Sequence, residues 1–197
     1  TMAFDPVGGI ALLERHLERM RASAQAFGIP FDRHGVRNEL QAATFRLRHP
    51  AKVRLLLSPE GRIAIGTAPM PEVPADPMTV ALARRQVAPR DFRLAHKTTD
   101  RRPWPRVAGA WETVYIDADV YLTEGSFTSI FVPRDGMLLT PPLARGIFPG
   151  VLRGDPIATG RAIVAAVPPD DFRHGFQPGH SVPPLRFAVP VAAARPA

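Results

Sequence analysis

The stretch Ala95-His96-Lys97-Thr98-Thr99-Asp100-Arg101 carries one of only two lysines in a chain whose 25 Lys and Arg residues are otherwise all arginine. The other is Lys52. A lysine amine can lose its proton, attack a carbonyl and form a Schiff base, whereas a guanidinium stays protonated. Lys97 is therefore a candidate nucleophile, although taken alone a solvated loop cation is the commoner fate of such a residue. Lys52 stands at the head of a strand and reads as a solvated cation. Two further features could hold an anion. Arg19 shares a helix face with His16 three residues earlier, and could lean off that face toward an anion or simply border the apolar stripe. Gly146-Ile147-Phe148-Pro149-Gly150 is a glycine-bracketed turn feeding a helix, where the backbone N–H groups of Val151 and Leu152 favour phosphate.

Composition narrows the setting. With 197 residues and 45% hydrophobic content the chain has material for one large or two small globular domains. No apolar run approaches a membrane-spanning length and no signal segment is recognised, so a cytoplasmic protein without a membrane partner is expected. The absence of cysteine excludes disulfides and thiolate metal sites, and no metal is expected. The net charge of +7 raises nucleic acid as a partner. The arginines are dispersed rather than gathered in an aromatic-interleaved patch, so no nucleic-acid partner is expected.

The elements that must position these residues follow from the pattern. Thr1 to Phe4 reads as the end of a strand and Asp5 to Gly9 as a turn. A helix is expected over 10–27, with Leu13, Leu17, Met20, Ala24 and Phe27 on one stripe and Gly28 and Pro30 ending it. A second helix is expected over 34–47. Strands at 52–57 and 62–65 form a hairpin through Ser58-Pro59-Glu60-Gly61. Four prolines in 68–77 mark an interdomain linker, giving a small domain over 1–75 and a larger β-rich domain over 76–197. In the latter, strands are expected at 78–82, 112–116, 120–122, 127–132 and 137–140, with a helix over roughly 151–166. After Val167 the chain is proline-rich and shows little periodicity.

Four segments follow one another along the chain: Leu-Leu-Glu-Arg-His-Leu-Glu-Arg, His-Lys-Thr-Thr-Asp-Arg, Leu-Thr-Glu-Gly-Ser-Phe-Thr-Ser-Ile-Phe and Leu-Leu-Thr-Pro-Pro-Leu-Ala-Arg-Gly-Ile-Phe-Pro-Gly-Val-Leu-Arg. In this order they resemble the fold-type IV pyridoxal-phosphate enzymes, the class IV aminotransferases. The resemblance runs from Thr1 to about Ala166 and is closest to the aminodeoxychorismate lyase branch, as in proteins that fuse this module behind a synthase subunit. It implies a two-domain α/β fold like that of D-amino acid aminotransferase, here starting inside the family's first sheet. It implies pyridoxal 5′-phosphate as cofactor, aminodeoxychorismate as substrate, a homodimer, and a synthase subunit as parent or partner. Conversion of aminodeoxychorismate to 4-aminobenzoate and pyruvate in folate synthesis is the implied reaction. A branched-chain or D-amino acid aminotransferase and a non-catalytic truncated remnant are the alternatives.

The resemblance also assigns roles. Lys97 bonds the cofactor aldehyde and moves protons. Glu124 pairs with the pyridine nitrogen, so that the ring withdraws electrons. Arg19, the amides of Val151 and Leu152, and Ser181 hold the phosphate. The chain departs from the family pattern in a shortened segment after the lysine, Arg102 to Ala108. It departs again at Gly179-His180-Ser181-Val182-Pro183-Pro184, where prolines replace a substrate-binding arginine and the following glycine.

Overall fold

The computed structural model describes residues 1–72 and 78–179. The former belong to one compact unit and the latter to a second. In the first unit, strands β1 (Met2–Asp5), β2 (Gly9–Ile10), β3 (Ala51–Leu57) and β4 (Ile63–Pro69) form an antiparallel sheet in the order β2-β1-β3-β4. Alternation along β3 buries Ala51, Val53 and Leu55 while Arg54 and Leu56 are exposed, the period-2 pattern of a one-sided sheet. Helices α1 (Leu13–Ala26) and α2 (Arg33–Thr44) supply Leu17, Val36 and Leu40 to the core that these strand residues share with Met2 and Phe4. Burying a side chain such as Leu17 fully is worth about 1.5–3 kcal/mol.

The ends of these helices follow from particular residues. Helix α1 starts at Leu13, three residues later than the stripe suggests, because Gly9–Ile10 pairs with β1 and Leu12 caps the helix at φ 53°. Its end is a Schellman motif. Gly28 takes φ 65°, its N–H reaches the Gln25 carbonyl at 3.2 Å, and the Ile29 N–H reaches Ala24 at 2.8 Å. Phe27, expected on the buried stripe, is 43% exposed because the helix has already ended there. Asp32 caps α2, accepting from the His34 N–H at 3.0 Å. That helix stops at Thr44, short of the expected 47, and leaves Phe45 exposed. The expected linker also begins too early. Ala68 and Pro69 continue β4, and Pro69 is tolerated because β4 is the edge strand of its sheet among the described residues.

The second unit holds two sheets. In one, β5 (Val80–Arg84) pairs parallel with β6 (Glu112–Ile116), which pairs antiparallel with β7 (Leu122–Gly125). In the other, β8 (Ser129–Arg134), β9 (Met137–Thr140), β10 (Ala162–Val164) and β11 (Gln177–Gly179) run in the order β10-β9-β8-β11. A one-turn helix α3 (Phe92–Ala95) lies between β5 and β6, and α4 (Val151–Ala158) lies between β9 and β10. All four residues of β7 are buried, as are Val114, Ile130, Phe131 and Val132 on its neighbours in the chain.

Two expectations for this unit are corrected. The strand placed at 120–122 is shifted to Leu122–Gly125, because Val120 sits at φ 62° in the turn closed by its N–H to the Asp117 carbonyl. The helix over 151–166 is only Val151–Ala158. A second Schellman motif stops it, with Gly160 at φ 70°, its N–H to Ile157 and the Arg161 N–H to Pro156 at 2.8 Å. Residues 162–164 then become β10, parallel to β9. The proline-rich stretch after Val167 also holds regular structure as far as Gly179. Pro169–His174 is a 3-10 helix and Gln177–Gly179 pairs with β8.

Candidate active site

Lys97 follows α3 directly, with only the C-cap His96 between them. Asp91 caps α3 by accepting from the Arg93 N–H at 2.9 Å. The Arg93 guanidinium then spans the lysine segment, bonding Asp91 at 2.6 Å on one side and Asp100 at 2.9 Å on the other. Its hydrogen bonds hold the Asp91 carboxyl down at about 2. This bracket ties residue 91 to residue 100, so Lys97 lies in a loop fixed at both ends. The lysine itself is exposed, and its Nζ stands 4.9 Å from the centroid of the Phe148 ring. That distance is a cation–π contact.

Phe148 also connects the lysine to a carboxylate. Its backbone N–H donates to Glu124 Oε2 at 3.0 Å, while Trp104 Nε1 donates to Glu124 Oε1 at 3.0 Å. Glu124 is buried in β7, and the loss of water pushes its carboxyl up to about 7, against these hydrogen bonds and the positive charges of Arg101 and Lys97. A carboxylate has about four acceptor positions, so the two bonds leave Glu124 able to accept from a ligand N–H.

The turn after Glu124 is built around a second acid. Glu112 of β6 is fully buried and accepts from the Thr113 N–H at 2.7 Å, the Ser126 N–H at 2.8 Å, the Ser126 hydroxyl at 2.6 Å and the Thr128 hydroxyl at 2.6 Å. Gly125 must be glycine for this to happen. A Cβ there would stand 2.2 Å from Thr128 Oγ1 and 2.5 Å from Glu112 Oε2. Glu112 thus fixes the 125–128 turn, and with it the end of the strand that carries Glu124.

The start of α4 belongs to the same unit. Gly150 is its N-cap and offers no side-chain cap. A Cβ on Gly150 would meet Ser129 Oγ at 2.6 Å, so any larger residue there would need the serine hydroxyl to turn away. Val151 is buried and Leu152 half-buried in the first turn. Arg19 lies on α1 of the first unit, half-buried, and loss of water pushes its guanidinium down to about 10. Ser181, with the rest of the 180–197 segment, lies outside the described residues. Lys97, Glu124 and the start of α4 share the second unit, and Arg19 belongs to the first. Among the described residues no group of three or more His, Asp or Glu side chains could hold a metal ion. No helix among them is long and apolar enough to cross a membrane.

Sequence reasoning missed Trp104, Phe148 and Glu112. The signal for Trp104 was present. A tryptophan between Pro103 and Pro105 cannot be helical, and a buried indole N–H requires an acceptor. Glu112 could have been suspected as an acid at the head of an otherwise apolar strand. Phe148 reaches Glu124 through its backbone N–H, which leaves no mark in residue type.

Residues 1–175 match the model of the amino-transferase class IV family. A Schizosaccharomyces pombe protein named "Putative aminodeoxychorismate lyase" is 26% identical over 164 residues, covering 78% of this chain and 70% of the yeast protein. The crystal structure of a "Putative amino-acid aminotransferase" from Mesorhizobium loti superposes with a TM-score of 0.88 at 29% identity, covering 96% of this chain and 97% of that one. The crystal structure of 4-amino-4-deoxychorismate lyase from Pseudomonas aeruginosa has a TM-score of 0.72 at 21% identity, covering 98% and 82%, and shares the fold. The segment with the nucleophile candidate, the buried acid and the glycine-capped helix all fall inside the matched residues, and the chain belongs to the class IV aminotransferase family of pyridoxal-phosphate-dependent enzymes.

Proposed function

We propose that the chain is a pyridoxal 5′-phosphate-dependent 4-amino-4-deoxychorismate lyase, producing 4-aminobenzoate and pyruvate for folate synthesis. The observation that carries the cofactor reading is the Lys97–Phe148–Glu124 arrangement, in which one residue contacts both an exposed amine and a buried carboxylate. These residues fit the cofactor. An exposed lysine suits an aldehyde, and a buried acid with unused acceptor positions suits a ring N–H. The glycine-capped start of α4 suits a phosphate. The lyase identity is supported by the yeast relative's name.

When bound, the cofactor supplies an electron sink for the carbon that bears the substrate amine. Each protein group then has a defined task. Lys97 Nζ would hold the cofactor aldehyde and take the proton from that carbon. Glu124 would accept from the ring N–H and keep it protonated. The Val151 and Leu152 amides, Arg19 and Ser181 would hold the phosphate. Loss of the ring C–H proton is followed by cleavage of the enolpyruvyl C–O bond. The ring becomes aromatic as 4-aminobenzoate, and the released enolpyruvate gains a proton to become pyruvate. The reading includes a cytoplasmic homodimer and a synthase subunit as the source of substrate. The domain division at residues 75 and 76 is part of it.

A class IV aminotransferase acting on branched-chain or D-amino acids is the second reading, favoured by the similarity to the Mesorhizobium loti structure. Borohydride reduction of the chain with added cofactor, followed by peptide mass spectrometry, tests the shared part. A covalent adduct on Lys97 that disappears in Lys97→Ala is expected. Its absence from the wild type at saturating cofactor would identify a non-catalytic member of the family. Pyruvate release from aminodeoxychorismate without a keto-acid acceptor then separates lyase from aminotransferase.

A further inference from the structure

The segment that crosses Glu124 is short and heavily tied. Tyr115 donates its hydroxyl hydrogen to the Pro105 carbonyl at 2.7 Å, and the Val107 N–H donates to Thr113 Oγ1 at 2.9 Å, fastening residues 105–107 to β6. At the other end, Arg101 donates to the Ser126 carbonyl, two residues beyond Glu124. The Trp104 N–H closes a turn onto the Arg101 carbonyl at 3.0 Å. The Arg101 guanidinium lies 4.2 Å from the Trp104 ring centroid. Trp104 is thereby 7% exposed, packed with Leu94 and Tyr115, with its one polar atom on Glu124.

We propose that Trp104 is a positioning residue for Glu124, its indole N–H fixing one carboxylate oxygen so that the acid is kept as an acceptor for a ring N–H. The assignment rests on the reading of Glu124 given above, and extends it to a residue outside the motifs that suggested that reading. An indole N–H can only donate. It therefore bonds the ionised carboxylate more strongly than the protonated acid, and opposes the burial that drives Glu124 toward neutrality. The alignment with the backbone N–H of Phe148 on the other oxygen makes the two donors act together. Other charged and titratable groups also act on Glu124 or feel its charge: Lys97 after α3, Arg101 on the covering segment, Arg85 after β5 and Tyr115 of β6. Trp104 is the donor to Oε1, so it is the contact to remove.

The test is NMR of the cofactor-free chain. Two tryptophans, Trp104 and Trp111, give two indole N–H signals that Trp111→Phe assigns. The Trp104 signal should move with pH, with the same midpoint as the Glu124 carboxyl carbon, and should cease to move in Glu124→Gln. Trp104→Phe keeps a ring under Arg101 but has no donor. It should raise the Glu124 midpoint by about one to two pH units, the loss expected for one hydrogen bond to a charged group. Trp111→Phe, whose ring sits against Phe127, should leave the midpoint unchanged. A Trp104 signal that stays flat while Glu124 titrates would overturn the assignment in the wild type alone, whether or not Trp104→Phe folds. An unmoved Glu124 midpoint in a folded Trp104→Phe would overturn it equally. Because no cofactor is present, a coupled titration alongside a failed borohydride adduct would keep the Trp104–Glu124 pair and reject the cofactor reading.

Discussion

Burial raises the Glu124 carboxyl from 4.5 to about 7 in the folded chain. The folded state therefore binds this proton more tightly than the unfolded state, and stability must fall as pH rises between those two values. Below 4.5 both states are protonated and the term vanishes. Above 7 both are ionised and the penalty is constant. At about 1.4 kcal/mol per pH unit of displacement, the penalty is below about 1 kcal/mol at pH 5 and about 3 kcal/mol at pH 8. Glu124→Gln removes this dependence but adds a fixed cost. Its amide nitrogen must face one of two N–H donors, from Trp104 or Phe148, leaving a buried clash of donors. The fixed cost cancels when the two proteins are compared across pH. Urea unfolding of both cofactor-free proteins, followed by far-ultraviolet circular dichroism from pH 5 to 8, should show the wild type losing roughly 2–3 kcal/mol relative to the variant. Parallel curves would refute the argument, because they would mean that Glu124 is already ionised in the folded state across this range.

Other substitutions probe the supports of the site and the core. Gly125→Ala places a methyl group against Thr128 and Glu112, and should destabilise by about 1–3 kcal/mol or more, read as a lower urea midpoint. Leu17→Ala opens a cavity in the core of the first unit and should cost about 2–5 kcal/mol, with a matching drop in melting temperature. Asp32→Ala removes the cap of α2 and should cost about 1 kcal/mol, while Asp32→Asn should cost less. Lys97→Arg keeps a cation near Phe148 but cannot form a Schiff base, so it should stay folded by circular dichroism and give no borohydride adduct.

The sequence revealed the elements whose signals are local. The stripe from Leu13 to Ala24 and the Gly28 stop located α1, and the strand-like runs at 52–57 and 112–116 located β3 and β6. Gly160 carries the same stop signal as Gly28, so the helix expected over 151–166 ends before Ile163 and Val164. Those residues instead join β10, a parallel pairing to β9 that leaves no trace in local pattern. Glu124 and Lys97 were recognisable from motifs. The groups that tune and orient them were not. Trp104 lies seven residues beyond Lys97 on a proline-rich segment, and Glu112 acts on a turn more than a dozen residues away. Such contacts depend on which strands pair, and residue type alone does not encode that.

The parallel pairing of β5 with β6 has a kinetic consequence. Antiparallel neighbours such as β8 and β9 close through a short hairpin, but β5 and β6 must bring Val80 beside Glu112 and Arg84 beside Ile116 across a long crossover that carries Lys97. Such nonlocal contacts form slowly, because the loss of chain entropy precedes any compensating contact. Until they form, Lys97 has no fixed relation to Glu124 on the strand next to β6. During refolding, then, the helices and hairpins should gain their circular dichroism first. The ability to capture an aldehyde at Lys97 should appear only with the later phase, so an aldehyde added early would meet a lysine with ordinary solution reactivity.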